Sequence, residues 1–177
     1  MAEAYIIDAA RSPRGIGKAG KGALSHFHSG RLLAKVLEAI GERNNLNTEE
    51  IDDVVIGCSS QVGNQGSCVG RMAALDAGWS TNASAVTLDR FCGSGITSAN
   101  IAAASVKAGL EDLVVSGGTE MMSLPKKGML PMGAGNAHLQ EIHPQSHQGV
   151  SWDGPRCLRQ VDGLAAVRGT PAGMLAS

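Results

Sequence analysis

Seven residues carry the clearest chemical signal in this chain: Asp89-Arg90-Phe91-Cys92-Gly93-Ser94-Gly95. They join a strand candidate, 84–89, to a helix candidate, 92–108. Cys92 therefore stands at or just before a first helical turn. Backbone N–H groups there have no intrahelical acceptor, and the helix dipole favours a thiolate over a thiol. The same N–H groups can stabilise a negative oxygen on a bound acyl carbonyl. Gly93 and Gly95 place no side chain in the way of a substrate. These are the physical needs of a covalent cysteine nucleophile, with Cys92 catalytic and Gly93 and Gly95 substrate-binding. Two other readings fit the same residues. Cysteine is among the most buried residue types, and most buried thiols are inert. A glycine-rich strand-to-helix turn also suits a phosphate, but this one has neither the GxGxxG nor the GxxxxGK[ST] pattern.

The remaining reactive side chains form no comparable constellation. Cys58, Cys68 and Cys157 have no CxxC spacing with any partner, so a zinc site or disulfide framework has poor support. Cys157 is assigned no role. His138, His143 and His147 lie 5 and 4 residues apart beside Pro144 and read as a solvated loop, with a metal cluster as the lesser alternative. His26 and His28 fall in an early polar loop and are expected to be exposed. Gln61, Asn64 and Arg71 are either ordinary loop and helix polar groups or donors across a subunit contact near the nucleophile strand. No metal and no resident cofactor is expected.

Composition narrows the function classes. The chain has 177 residues, a formal net charge of -1, 18% charged residues, 24 glycines and 3% aromatics. There is no basic stripe or aromatic platform, so nucleic-acid binding has little support. No apolar run reaches membrane-spanning length. The N-terminal MAEAYIIDAARSPR resembles no secretory signal or evident transit peptide, and the terminal Leu175-Ala176-Ser177 is not the serine-lysine-leucine address. A cytoplasmic setting with reduced thiols is the default reading.

The elements that must position Cys92 follow from periodicity. Residues 4–9, 53–57, 84–89 and 112–116 read as strands. Leu32, Leu33, Val36, Leu37 and Ile40 make one helical stripe over 30–40. A second helix fits 68–77, stopped near Gly78. Asn47 starts a short helix, with Glu50 closing a capping box. The 92–108 helix has only Ile96, Ile101 and Val106 as large apolar residues, which suits close approach at the centre of a fold. Gly109 ends it as a left-handed cap. Strands alternating with helices give an α/β sheet with right-handed crossovers.

Five segments resemble the thiolase family in order and spacing. Arg90-Phe91-Cys92-Gly93-Ser94-Gly95 resembles the acyl-cysteine motif. Arg11-Ser12-Pro13 resembles the early arginine-serine/threonine-proline, and Val55-Ile56-Gly57 with Gln61-Val62 and Gly66 resembles the second strand and its loop. Arg71 to Gly78 resembles the helix before the third strand. Gly117-Gly118-Thr119-Glu120-Met121-Met122-Ser123 resembles the glycine-glycine-x-glutamate run. The resemblance implies a thiolase-like N-terminal α/β domain over 1–124, with a mixed sheet and a buried nucleophile helix. Residues 125–149, with three histidines, three prolines and no β-branched run, read as a partial lid or loop region, and 150–177, with no helical or strand period, as an irregular, non-family-like tail. The resemblance also implies ping-pong acyl transfer, with CoA and acyl-CoA as substrates and an acyl group held on Cys92. The products would be acetoacetyl-CoA by condensation or a shortened acyl-CoA by thiolysis. Association as a homo-oligomer or with another thiolase subunit is implied as well.

Two departures qualify this. Asp89 stands where the family usually has asparagine, and a second charge would raise the thiol pKa if both groups were buried. Family members are also well over twice this length, and their general-base histidine, acid/base cysteine and much of the CoA pocket lie in the C-terminal half. The chain thus reads as an incomplete acyltransferase or as a non-catalytic structural or interaction subunit. An apolar face left without its other half would lower solubility as an isolated monomer.

Overall fold

A computed structural model describes residues 3–123 and the backbone of 163–169. The elements are β1 (Ala4–Arg11), α1 (Ser29–Arg43), β2 (Asp53–Gly57), α2 (Val69–Asp76), β3 (Ser84–Leu88), α3 (Ser94–Ala108), β4 (Leu113–Gly118) and β5 (Gly163–Gly169). Single 3-10 turns cover Thr48–Glu50 and Gly63–Gln65. The strands form one mixed sheet in the order β1-β5-β4-β2-β3. β2 is parallel to β3 and β4, while β5 runs antiparallel to β4 and to β1.

Alternation along the inner strands sorts the core into two faces. Val54, Ile56, Leu113 and Val115 point to one side and pack against α1 and α2 through Leu33, Leu37, Ile40, Val69, Ala73 and Ala74. Val55 and Val114 point to the other side and meet Ala102 and Val106 of α3. Runs of consecutive valines are what a strand buried on both faces requires. The first face holds the bulk of the apolar area, and Leu37 is fully buried there. Leu37→Ala should cost about 2–5 kcal/mol, read from the urea midpoint, because it removes transfer energy and leaves a cavity. A cost below about 1 kcal/mol would mean that α1 is not seated in this way.

α1 buries the stripe expected of it, including Leu32, Leu33, Val36, Leu37 and Ile40. Its C-terminal end is tied to β1. Arg43 meets Asp8 at 2.7 Å, and the Asn44 amide donates to Asp8 at 2.8 Å and to the Ile40 carbonyl at 2.8 Å. The Asn44 bond, then backbone and Arg43 contacts, outweigh partial burial and hold the Asp8 carboxyl below its ordinary value. The Asn47 start is a single 3-10 turn. Asn47 accepts from the Glu49 amide at 3.2 Å, and its own amide donates to Glu50 at 3.1 Å. Glu50 therefore bonds the capping side chain rather than the capping backbone N–H.

Two features differ from expectation. The 150–177 segment was expected to hold no regular element, yet Gly163–Gly169 forms β5 between β4 and β1. Its sequence, GLAAVRG, has weak strand character. The strand exists because two distant edges supply its hydrogen bonds. The small-residue helix does pack on the sheet, but only along Ser94, Ser98, Ala102 and Val106. Ile96 and Ile101 face outward and are 70% and 42% exposed. The reason is that α3 is the one described helix on its side of the sheet. The expected lid at 125–149, the three histidines within it and Cys157 lie outside the described residues.

Candidate active site at the carboxyl ends of the strands

β2 feeds α2 on one face, whereas β3 feeds α3 on the other. The two exit loops therefore part company above the β2–β3 pair. In open α/β sheets, ligands bind at the carboxyl ends of the strands where neighbouring connections leave for opposite faces. The 58–67 loop flanks one side and the Cys92 turn flanks the other. The Cys58 amide still donates to the Leu88 carbonyl at 2.9 Å, so the strands stay paired up to the rim.

The Cys92 turn is built by local hydrogen bonds. The Phe91 amide donates to the Asp89 carboxylate at 2.7 Å. The Arg90 amide donates to Ser94 Oγ at 2.8 Å, and that hydroxyl donates to the Phe91 carbonyl at 2.6 Å. The Gly93 and Ser94 amides donate back to the Arg90 and Phe91 carbonyls at 3.0 and 3.1 Å. Phe91 pays for the tight path with φ = +49°, a left-handed conformation that costs a bulky residue about 1–3 kcal/mol. Strain of this kind next to a candidate nucleophile points to a conformation held by its surroundings.

Cys92 lies on this turn, exposed, two residues before α3 begins. Gly93 is the helix cap and offers no side-chain acceptor to the first turn. The Gly93 and Ser94 amides are used inside the turn. The two glycines serve different needs. A Cβ on Gly95 would meet nothing within 4 Å, so its site opens to free space. A Cβ on Gly93 would stand 3.3 Å from the Arg90 carbonyl oxygen, so this glycine also lets the turn close. Asp89 is exposed, as is Cys92, so the mutual burial needed for a strong charge effect is absent. An asparagine Oδ1 could accept the Phe91 bond equally well, which explains why aspartate fits where the family has asparagine.

Beneath the turn, backbone meets backbone. A Cβ on Gly57 would stand 2.6 Å from the Gly95 nitrogen and closer still to the Ser94 carbonyl carbon. A Cβ on Gly118 would stand 3.5 Å from Gly95 Cα and 3.0 Å from the Gly57 oxygen. Ser98 Oγ lies 2.6 Å from the Gly117 oxygen and 2.7 Å from the Gly95 oxygen. Glycines at the ends of β2 and β4 thus seat the nucleophile helix.

A polar group missed in the sequence sits beside this seat. Glu120 accepts from the Ser59 and Ser60 amides at 2.9 and 3.2 Å, and from the Gln65 side-chain amide at 3.1 Å. Gln65 is fully buried, donates to the Ser60 carbonyl at 2.9 Å and accepts from the Met121 amide. The only sequence signal was a glutamate directly after two glycines and a threonine. By contrast, Gln61 donates to its own loop at Cys58 O, and Arg71 bonds the Ala83 and Thr81 carbonyls. The Asn64 carbonyl accepts from Ser29 Oγ at 2.6 Å. Gln61 and Arg71 thus bond within the chain, and Asn64 does so through its backbone. His26 and His28 are exposed. Among the described residues, no group of three or more His, Cys, Asp or Glu side chains could hold a metal. No described helix is long and apolar enough to cross a membrane.

Comparison with known proteins agrees with this geometry. Residues 4–154 match the family described as thiolase, N-terminal domain. The chain is 44% identical over 124 residues to a 3-oxoadipyl-CoA/3-oxo-5,6-dehydrosuberyl-CoA thiolase of Escherichia coli, covering 70% of this chain and 30% of the relative. It is 34% identical over 134 residues to a steroid 3-ketoacyl-CoA thiolase of Mycobacterium tuberculosis, covering 75% of this chain and 32% of that protein. The crystal structure of a Bacillus anthracis acetyl-CoA acetyltransferase superposes with a TM-score of 0.63 at 32% identity, over 71% of this chain and 31% of that one. A cysteine turn over a glycine-seated helix, on a mixed α/β sheet, defines the class, and the chain belongs to the thiolase family through its N-terminal domain. It spans about 30% of the length of the relatives it matches.

Proposed function

We propose that this chain carries the acyl-accepting half of a thiolase-type acyl transfer, with Cys92 as nucleophile and CoA thioesters as substrates. The observation that carries the reading is the exposed Cys92 at the entrance of α3, just beyond the carboxyl end of β3. The Cys92 sulfur attacks the thioester carbonyl of an acyl-CoA. The bond from that carbonyl to the CoA sulfur breaks, CoA leaves with the proton that Cys92 gave up, and the acyl group stays on Cys92. With a 3-ketoacyl-CoA the attack falls on the keto carbon, the carbon–carbon bond to the acetyl-CoA part breaks, and that part leaves as an enolate that takes up the proton Cys92 gave up and departs as acetyl-CoA. First-turn amides of α3 stabilise the oxyanion, and Gly95 leaves room for the acyl group.

Release of the acyl group needs the base and acid that family resemblance places in the part of the relatives this chain does not span. A second reading is a non-catalytic subunit that associates with copies of itself or with another thiolase subunit. The exposed Ile6, Val86, Ile96 and Ile101 support association. A cytoplasmic setting belongs to both readings.

Incubation with acetyl-CoA or acetoacetyl-CoA followed by intact-mass measurement separates the two. The acyl-transfer reading expects a covalent acyl adduct on the native chain and none on Cys92→Ser. No adduct on the native chain, or an adduct that survives in Cys92→Ser, removes the nucleophile assignment and leaves the subunit reading. Turnover of acetoacetyl-CoA with CoA tells a complete enzyme from one that stops at the acyl-cysteine.

A further inference from the structure

Glu120 and Gln65 stand 55 positions apart and meet in a network that closes on itself. One carboxylate oxygen takes two consecutive backbone amides, and the other takes the Gln65 amide. The Gln65 side chain cannot turn over, because its oxygen holds the Met121 amide and its nitrogen holds two acceptors. Glu120 is half-buried, and hydrogen bonds to an ionised carboxylate are stronger than those a neutral side chain would accept, so the charge grips the loop more firmly than an amide could.

The network grips the two exits that bear on Cys92. Ser59 and Ser60 follow β2 by two and three residues, and Glu120 follows β4 by two. The Thr119 amide donates to the Gly57 oxygen at 3.0 Å and staples the same two exits. Gly57 and Gly118 then touch the Ser94–Gly95 backbone. Glycines have no side chain with which to grip the helix, so the seat is only as rigid as the two strand ends that form it. We propose that Glu120, locked by Gln65, is a positioning residue for Cys92, holding the ends of β2 and β4 in the spacing that aims the first turn of α3. This rests on the acyl-transfer reading above.

Two rates and one protection measurement test it. The first rate is acylation of Cys92 by acetoacetyl-CoA, from intact mass. The second is alkylation of Cys92 by iodoacetamide, which needs an accessible thiol and little geometry. Labelling of Cys58, 1% exposed in the native fold, reports opening of the loop and core. Glu120→Gln puts an amide nitrogen where an oxygen accepts, and Gln65→Met cuts the same network from its other side. Both variants should lose about 10- to 100-fold in acylation, the scale expected for a misaimed reacting group. Cys92 alkylation should stay near native, and Cys58 should stay unlabelled. Acylation within about twofold of native in both variants overturns the positioning role. So does a loss accompanied by Cys58 labelling, since Glu120 would then hold the fold rather than aim the nucleophile. A native chain that takes no acyl group removes the underlying reading, and the positioning role with it. The native control makes that failure distinct from the others.

Discussion

Gly57→Ala is expected to destabilise the protein by about 3 kcal/mol or more and to abolish acylation of Cys92. The new methyl carbon would stand 2.6 Å from both the Ser94 oxygen and the Gly95 nitrogen. Those atoms are backbone, so no rotamer change relieves the clash. Either α3 lifts from the sheet or β2 bends at its last residue. The first displaces Cys92, and the second breaks the Gly57 oxygen's bond from the Thr119 amide. Gly78→Ala is the control. Gly78 has φ = +74° and nothing within 4 Å of its Cβ direction, so the change there adds backbone strain alone, about 1–2 kcal/mol. Urea unfolding of the two variants, with the acyl-adduct assay, decides the matter. A Gly57→Ala protein within about 0.5 kcal/mol of native would mean that the helix is not seated on β2.

The second large effect concerns β5. Ala166 pairs with Val115 of β4 on one side and Asp8 of β1 on the other. Proline has no amide hydrogen and is found in sheets at edges or bulges, not between two neighbours. Ala166→Pro should therefore break the ladder in its middle, at about 3 kcal/mol. Hydrogen exchange localises the damage. The amides of Ala4–Arg11 should lose protection first, because β5 alone links β1 to the rest of the sheet. The amides of Asp53–Gly57 should keep theirs through the parallel partners β3 and β4. Unchanged protection of β1 would show that β5 does not pair as described.

Legibility in the sequence tracked how local each cause was. The α1 stripe was plain because every member lies within one helical period of the next. The inner strands were plain because valine runs have few other uses. Gly109 was plain as a cap, and it takes φ = +72°. The Cys92 turn was also readable, since Asp89, Ser94 and the intervening carbonyls satisfy one another within six residues. β5 was not readable, because GLAAVRG carries no alternation and Val167 is its one β-branched residue. Gln65 looked like one more polar loop residue, and its burial depends on a carboxylate 55 positions away.

Local pattern alone places a cysteine on a strand-to-helix turn, in a run of residues resembling the thiolase acyl-cysteine motif. The tertiary structure decided how that turn is held. It is seated on Gly57 and Gly118, whose contacts to Ser94 and Gly95 appear only when β2 and β4 lie side by side. Those contacts join residues tens of positions apart, and a glycine that makes way for a backbone has no side chain to announce what it is making way for.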